Sequence, residues 1–207
     1  MFMFLDVETT GKPTRRNATY REVGVWPRIV SISWAFHLPS GDLVHQRHAV
    51  VKPDGFVIPA EATHIHGITT AYAQRHGRRL HDVLMEVNTE LESARPALLI
   101  AHNIEFDRNV LLAEMLRANA DLHLDRIPTS CTMLTGTDVC RLPGWGGRYK
   151  WPTLEELHRF LFGTAFDGAH DAAADVQACV RCYFELRRQA EAGGESSGKY
   201  AGSDPDG

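Results

Sequence analysis

Two carboxylates one residue apart open the chain: Asp6 and Glu8 flank Val7 at the end of an apolar run, Phe2 to Val7. Alternate side chains of a strand share a face, so this spacing points both acids the same way. A third acid, Asp107, follows a second apolar run, Pro96 to Ala101, at the start of a helical stretch. Strand exits are where open α/β sheets gather their ligands. A fourth, Asp175, lies in the last helical segment, with His170 five residues ahead of it. That separation is a little more than one helical turn, so a helix beginning before His170 places both on one cleft. Four hard carboxylate oxygens suit Mg²⁺ or Mn²⁺ better than zinc, which prefers imidazole and thiolate. Two such ions stabilise the attacking and leaving oxygens of an in-line phosphoryl displacement, so these residues predict phosphodiester hydrolysis. His170, of the residue type that titrates near neutrality, is the candidate general base.

The elements that must hold these groups are legible from periodicity. Phe2 to Val7, Arg28 to Phe36 and Leu43 to Val51 read as strands, with a turn at Pro39 to Asp42 joining the last two into a hairpin. Short helical pieces follow from Pro59, and His81 to Ser93 places Val83, Leu84, Val87 and Leu91 at helical spacing. Pro96 to Ala101 is a fourth strand that exits into a helix running through Leu116, and Ile127 to Met133 a fifth strand. Cys140 to Pro152 reads as loop, broken by Pro143, Gly144, Gly146 and Gly147. Thr153 and Glu156 form a capping box for a helix with Leu154, Leu157 and Leu161 on its buried face. The final helix is expected to open at Asp167 or Gly168 and to end near Ala192. Residues 193–207 hold Gly, Ser, Asp, Glu and Pro without apolar period and are expected to form a disordered tail. A three-stranded meander followed by alternating helix and strand predicts an α/β fold, a mixed sheet with helices on its faces.

At 207 residues and 43% apolar content the chain is sized for one globular domain with a substantial core. A net charge of −4 argues against non-specific coating of nucleic acid, which rests on many Lys and Arg contacts to phosphates. Clustered active-site acids contribute to that charge, and bound cations would reverse it locally. No apolar run approaches the length of a membrane span. Four cysteines, Cys131, Cys140, Cys179 and Cys182, are too few for a disulfide scaffold, and a cytoplasmic location without membrane attachment is expected.

FLDVETTG at Phe4 to Gly11, AHNIEFDRNVL at Ala101 to Leu111 and HDAAADV at His170 to Val176 occur in order. They resemble the three exonuclease motifs of the DEDDh, or DnaQ-like, 3′→5′ exonucleases, the family of the proofreading subunit of bacterial replicative DNA polymerase. ATHIHGIT at Ala62 to Thr69 resembles the family segment that approaches the 3′-terminal nucleotide. The resemblance covers 1–192, taken as the exonuclease domain. It implies a ribonuclease H-like fold, a mixed five-stranded sheet flanked by helices. It also implies two Mg²⁺ or Mn²⁺ ions held by Asp6, Glu8, Asp107 and Asp175, with His170 as base. Thr9, His66, Ile68, Asn103 and Phe106 would contact the terminal nucleotide. The expected reaction releases nucleoside 5′-monophosphates from the 3′ end of nucleic acid, single-stranded DNA before RNA. The competing readings are an oligoribonuclease-like enzyme and a proofreading module dependent on a polymerase or helicase partner. The arginine-bearing loop from Lys12 to Pro27 and the glycine-rich loop from Gly136 to Trp151 depart from the family pattern.

Other candidates for chemistry are weaker. His64-x-His66 lacks a cysteine or third histidine nearby for zinc. Cys179-x-x-Cys182 falls within a helix with no second pair, which predicts buried thiols. Arg75, Arg78 and Arg79 are equally a solvated helix end or a phosphate patch. Arg148, Lys150 and Trp151 mix cation and aromatic as single-strand binders do, while Trp151 can equally staple the helix that follows.

Overall fold

The computed structural model describes residues 1–120 and 123–197, the last five of these by backbone alone. In chain order the elements are β1 (Phe2–Thr9), β2 (Ile29–His37), β3 (Leu43–Val50), α1 (Ala60–His66), α2 (Thr70–His76) and α3 (Leu80–Ala94). There follow β4 (Leu98–Ala101), α4 (Ile104–Arg117), β5 (Thr129–Cys131), α5 (Thr132–Cys140), α6 (Leu154–Phe162) and α7 (Ala172–Ser197). The strands form one five-stranded sheet in the order β3-β2-β1-β4-β5. β1 pairs antiparallel with β2 and parallel with β4, so the sheet is mixed, as expected.

The alternation along β1 divides the core. Met3, Leu5 and Val7 face one layer with Val83, Leu84, Val87 and Leu91 of α3 and Val110, Leu111 and Met115 of α4. Phe4 faces the other, against Val176, Cys179 and Val180 of α7. Each such aliphatic or aromatic side chain contributes roughly 1.5–3 kcal/mol on full burial. β2, covered on both faces, is buried at every position, whereas the edge strand β3 is mostly exposed or half-buried and carries His45, Gln46, Arg47 and His48. Polar and charged side chains on an edge discourage pairing with another chain. The β2–β3 hairpin turns as expected, with Gly41 at φ +100°.

Three boundaries differ from expectation. The fifth strand is only three residues long, and Thr132–Cys140, partly assigned to strand and loop, is a helix. Its threonines and central glycine give poor intrinsic propensity. Packing overrides that, because a Cβ at Gly136 would lie 2.8 Å from Leu157, so glycine lets α5 press against α6. The remainder of the glycine-rich stretch closes on itself, with Lys150 N–H donating to the Leu142 carbonyl at 3.0 Å. α7 starts at Ala172, later than expected, and runs past Ala192 to Ser197. The expected tail lies outside the described residues from 198 onward. The capping box of α6 forms in full, Thr153 Oγ1 accepting from Glu156 N–H and Glu156 accepting from Thr153 N–H.

The loop before β2 is strapped to α4. Arg117 donates to the carbonyls of Val23, Trp26 and Pro27, and the Trp26 indole donates to the Thr19 carbonyl at 2.9 Å. Buried Glu114 accepts from Arg28 Nε at 2.8 Å and from Ile29 N–H at 3.1 Å, and Arg117 lies 3.2 Å away. No helix among the described residues is long and apolar enough to cross a membrane.

Candidate active site

β4 accompanies β1 only from Phe2 to Phe4, so beyond Phe4 the carboxyl end of β1 has no parallel neighbour. Divergence of adjacent strands is what opens a ligand crevice in α/β sheets. α4 closes one side of it. Asp107, in the first turn of that helix, accepts the Val7 N–H at 3.1 Å through Oδ1, tying the third acid to the strand that carries the first two.

α7 closes the other side. Asp171 precedes it and caps it, accepting the N–H groups of Ala173 at 2.9 Å and Ala174 at 3.1 Å. Asp175 follows one turn later, its N–H donating to the Asp171 carbonyl. His170 is therefore not on the helix, and helical spacing does not explain its placement. It sits in the preceding turn with φ +69°, and its own N–H donates to Asp175 Oδ2 at 3.1 Å. Left-handed backbone is uncommon outside glycine, and this contact helps hold it. Gly168, at φ +80°, allows the turn to approach α7, where a Cβ would meet Ala174 at 3.1 Å. The outcome is that ligand atoms of Glu8, His170 and Asp175 lie within 4.8 Å of one another.

The electrostatics bind Asp6 and Asp107 into the same cluster. Burial, then the charges of Asp107, Asp175, Glu8 and Asp171, hold Asp6 well above the usual carboxylate range. Burial, reinforced by Asp175, Asp107 and Asp171, pushes Glu8 up to about 8. Asp107 rises to about 8 through burial, against the opposing Val7 hydrogen bond, and Asp175 to about 6, again mainly through burial. The charged neighbours acting on Asp6 and Glu8 are all acidic. Crowded carboxylates of this kind are the donor set for a hard divalent cation, which would relieve their repulsion.

Of the residues expected to contact a nucleotide, Thr9 and His66 reach this region. The His66 imidazole interacts with the Thr9 backbone and feels the charge of His170; burial lowers its pKa, and its buried Nε2 makes no full hydrogen bond among the described residues. Its Nδ1 accepts the Ile68 N–H at 3.1 Å. The Thr9 hydroxyl is engaged locally, donating to the Gly11 carbonyl at 2.6 Å. Ile68 is half-buried against Val30, Ile58, Ala62 and Ala73, and Phe106 packs on the main core with its ring 6.4 Å from Trp26. Asn103 is exposed at φ +74° and caps α4 without a side-chain bond.

Two further groups at the site are not singled out by the sequence motifs. Asp171 adds a further negative charge beside the four acids; its position just ahead of three alanines is a helix-cap signature. His102, at the exit of β4, is held neutral by burial with its pKa down to about 4. Its Nδ1 lies 3.0 Å from Thr132 Oγ1 and its Nε2 3.0 Å from the Pro152 carbonyl, linking the Asp107 strand exit to the base of the 141–151 hairpin. Cys179 and Cys182 are buried free thiols, Cys179 Sγ lying 3.6 Å from Thr132 Oγ1. A separate cleft of about 700 Å³ is lined by Arg28, Lys52, Phe56, Arg79, His81 and Arg117 among others. Glu114 already compensates Arg28 and Arg117 there, and Arg78 pairs with Glu86 at 2.6 Å.

Solved structures with the same fold include E. coli Exonuclease I bound to a dA16 oligonucleotide, with TM-score 0.72 and 18% identity over 91% of this chain. Its complex with a dT13 oligonucleotide matches at TM-score 0.72 and 18% identity over 92%. The zinc-ion-bound form of the same enzyme with single-stranded DNA gives 0.69 and 18% over 92%. The chain spans only 40–42% of the length of those proteins. No curated protein sequence matches it. The sequence model of the RNase_T exonuclease family aligns with residues 3–183, which takes in all four acids and His170, and the chain belongs to that family of phosphodiester-hydrolysing nucleases.

Proposed function

We propose that the chain is a 3′→5′ exonuclease that removes nucleoside 5′-monophosphates from single-stranded DNA, with Asp6, Glu8, Asp107 and Asp175 holding two divalent cations. The observation that carries this reading is the cluster itself: four carboxylates from β1, α4 and α7, each raised mainly by burial, with the charge of Asp175 acting further on Asp6, Glu8 and Asp107. A bound cation would relieve the burial and crowding of these acids, and oxygen donors fit Mg²⁺ or Mn²⁺. Such ions, when bound, supply charge stabilisation to the phosphoryl oxygens and a more acidic attacking water.

The chain's own residues do the rest. His170, exposed at the mouth and adjacent to Glu8 and Asp175, takes the proton from the attacking water. The hydrogen bond from its backbone to Asp175 keeps base and carboxylate in one register. His66, with Nε2 buried beside the Thr9 backbone and short of a full hydrogen bond among the described residues, contacts the terminal nucleotide. An unsatisfied buried nitrogen at a site rim is costly unless a ligand completes it. Ile68, Asn103 and Phe106 are the further nucleotide contacts in this reading. DNA is preferred to RNA because the similar structures carry deoxyoligonucleotides.

The test is digestion of 5′-labelled single-stranded DNA, duplex DNA and RNA by the purified chain with Mg²⁺, Mn²⁺, Zn²⁺ or chelator, beside Asp107→Ala. A metal-dependent ladder that shortens from the 3′ end of single-stranded DNA, absent in the variant, is the expected result. A ladder on RNA alone would move the enzyme to the oligoribonuclease class. No cleavage by folded, metal-loaded protein would point instead to a module that needs a polymerase or helicase.

A further inference from the structure

The hairpin from Arg141 to Trp151 carries the most exposed aromatic side chain among the described residues. Trp145 is 97% exposed, Trp151 64% and Tyr149 49%. An indole left in water sacrifices the burial that its apolar area would otherwise provide, and clustered exposed rings mark a binding surface. The same eleven residues contain Arg141, Arg148 and Lys150 and no acid. Trp151 does not staple α6: Pro152 is the buried residue at that helix start, while Trp151 points out.

The hairpin is built to hold these rings in place. Pro143 bridges Tyr149, Lys150 N–H donates to the Leu142 carbonyl, and a Cβ at Gly144 would lie 2.5 Å from the Arg148 carbonyl. Its base is fixed by His102 on the Pro152 carbonyl and by the Lys150 to Glu156 ion pair, 2.5 Å, onto α6. His102 belongs to the β4 exit that leads to Asp107, so the arm stands on the same support as the candidate site.

We infer that this hairpin is a stacking arm for single-stranded nucleic acid, receiving bases upstream of the 3′ terminus on Trp145 and Trp151 while Arg141 and Arg148 contact phosphates. The inference rests on the exonuclease reading for the direction of the strand. Rings interleaved with cations are the pattern by which proteins hold single strands without reading sequence. With Lys150 compensated by Glu156, Arg141 and Arg148 remain outside any ion pair among the described residues, and their charge favours a polyanion over an apolar protein partner.

The other two tryptophans, Trp26 and Trp34, are 8% and 0% exposed, so quenching of indole emission by a bound strand reports on the arm. The experiment titrates the full chain in chelator with a short oligothymidylate and follows tryptophan fluorescence. Saturable, salt-weakened quenching is expected, with affinity about tenfold lower in Trp145→Ala and largely restored in Trp145→Phe. Removing so exposed a side chain sacrifices no packing, and an unchanged melting temperature verifies it. Equal affinity in wild type and Trp145→Ala, or quenching absent with wild type, overturns the arm. Hydrolysis of the p-nitrophenyl ester of thymidine 5′-monophosphate by wild-type chain with metal tests the underlying reading separately, since that substrate needs only the carboxylate site. Hydrolysis without quenching sinks the arm alone; quenching without hydrolysis keeps the arm and sinks the exonuclease reading.

Discussion

Replacing Asp107 by asparagine should make the metal-free protein more stable while abolishing its activity. Asp107 is 3% exposed, and burial pushes its carboxyl from 3.8 to about 8. In the unfolded chain the same group ionises near pH ~4. Between roughly pH 4 and pH 8 the folded state therefore keeps a proton that the unfolded state has released, and stability falls as pH rises. The slope reaches about 1.4 kcal/mol per pH unit, so by pH ~7 the accumulated loss is on the order of 4 kcal/mol. Asp6 and Glu8 titrate in the same field, so the substitution recovers only part of this, about 2–3 kcal/mol. Asparagine stays neutral throughout and keeps an Oδ1 acceptor for the Val7 N–H. At roughly 2–4 °C per kcal/mol for a chain of this size, the melting temperature in chelator should rise about 5–10 °C near pH 7. The gain should shrink toward pH ~4 and vanish below it, where the wild-type carboxyl is protonated in both states. Circular dichroism melts across that range measure it. Adding Mg²⁺ should reverse the order, since ligand binding to the folded state stabilises only the protein that can bind. A variant less stable than wild type in chelator near neutral pH, or a difference that does not change with pH, would refute the buried-charge argument.

His170→Ala should lower kcat about 10²–10⁴-fold with little change in melting temperature, since the side chain is exposed and its backbone bond to Asp175 remains; a kcat close to that of wild type at saturating metal would contradict the base role. Glu114→Gln should destabilise the fold by about 3–5 kcal/mol in urea melts, because Arg28 and Arg117 lose the buried charge that both face. Thr153→Ala should cost about 1 kcal/mol by removing the capping bond to Glu156 N–H, read as a shift of the urea midpoint.

The types and local positions of the catalytic candidates are readable from local sequence pattern. Asp6 and Glu8 share a face because strand periodicity is two, and Asp107 opens a helix after a strand because apolar period and polar exit are written locally. The hairpin at Gly41 and the cap at Thr153 were equally legible, since turn and cap chemistry depend on a few adjacent residues. The placement of His170 was not. Spacing suggested successive helical turns, whereas a left-handed turn ahead of α7, held by Asp175 and permitted by Gly168, brings it beside Glu8. Helix α5 was hidden for a similar reason: its propensity is poor, and it forms because Gly136 admits Leu157 from another helix. The mutual field of the four acids, and the solvent exposure of Trp145, likewise depend on which segments pack together and which do not. Local pattern follows from backbone geometry within a few residues; burial, charge coupling and close approach arise only when distant segments share space, and those were decided by the tertiary structure.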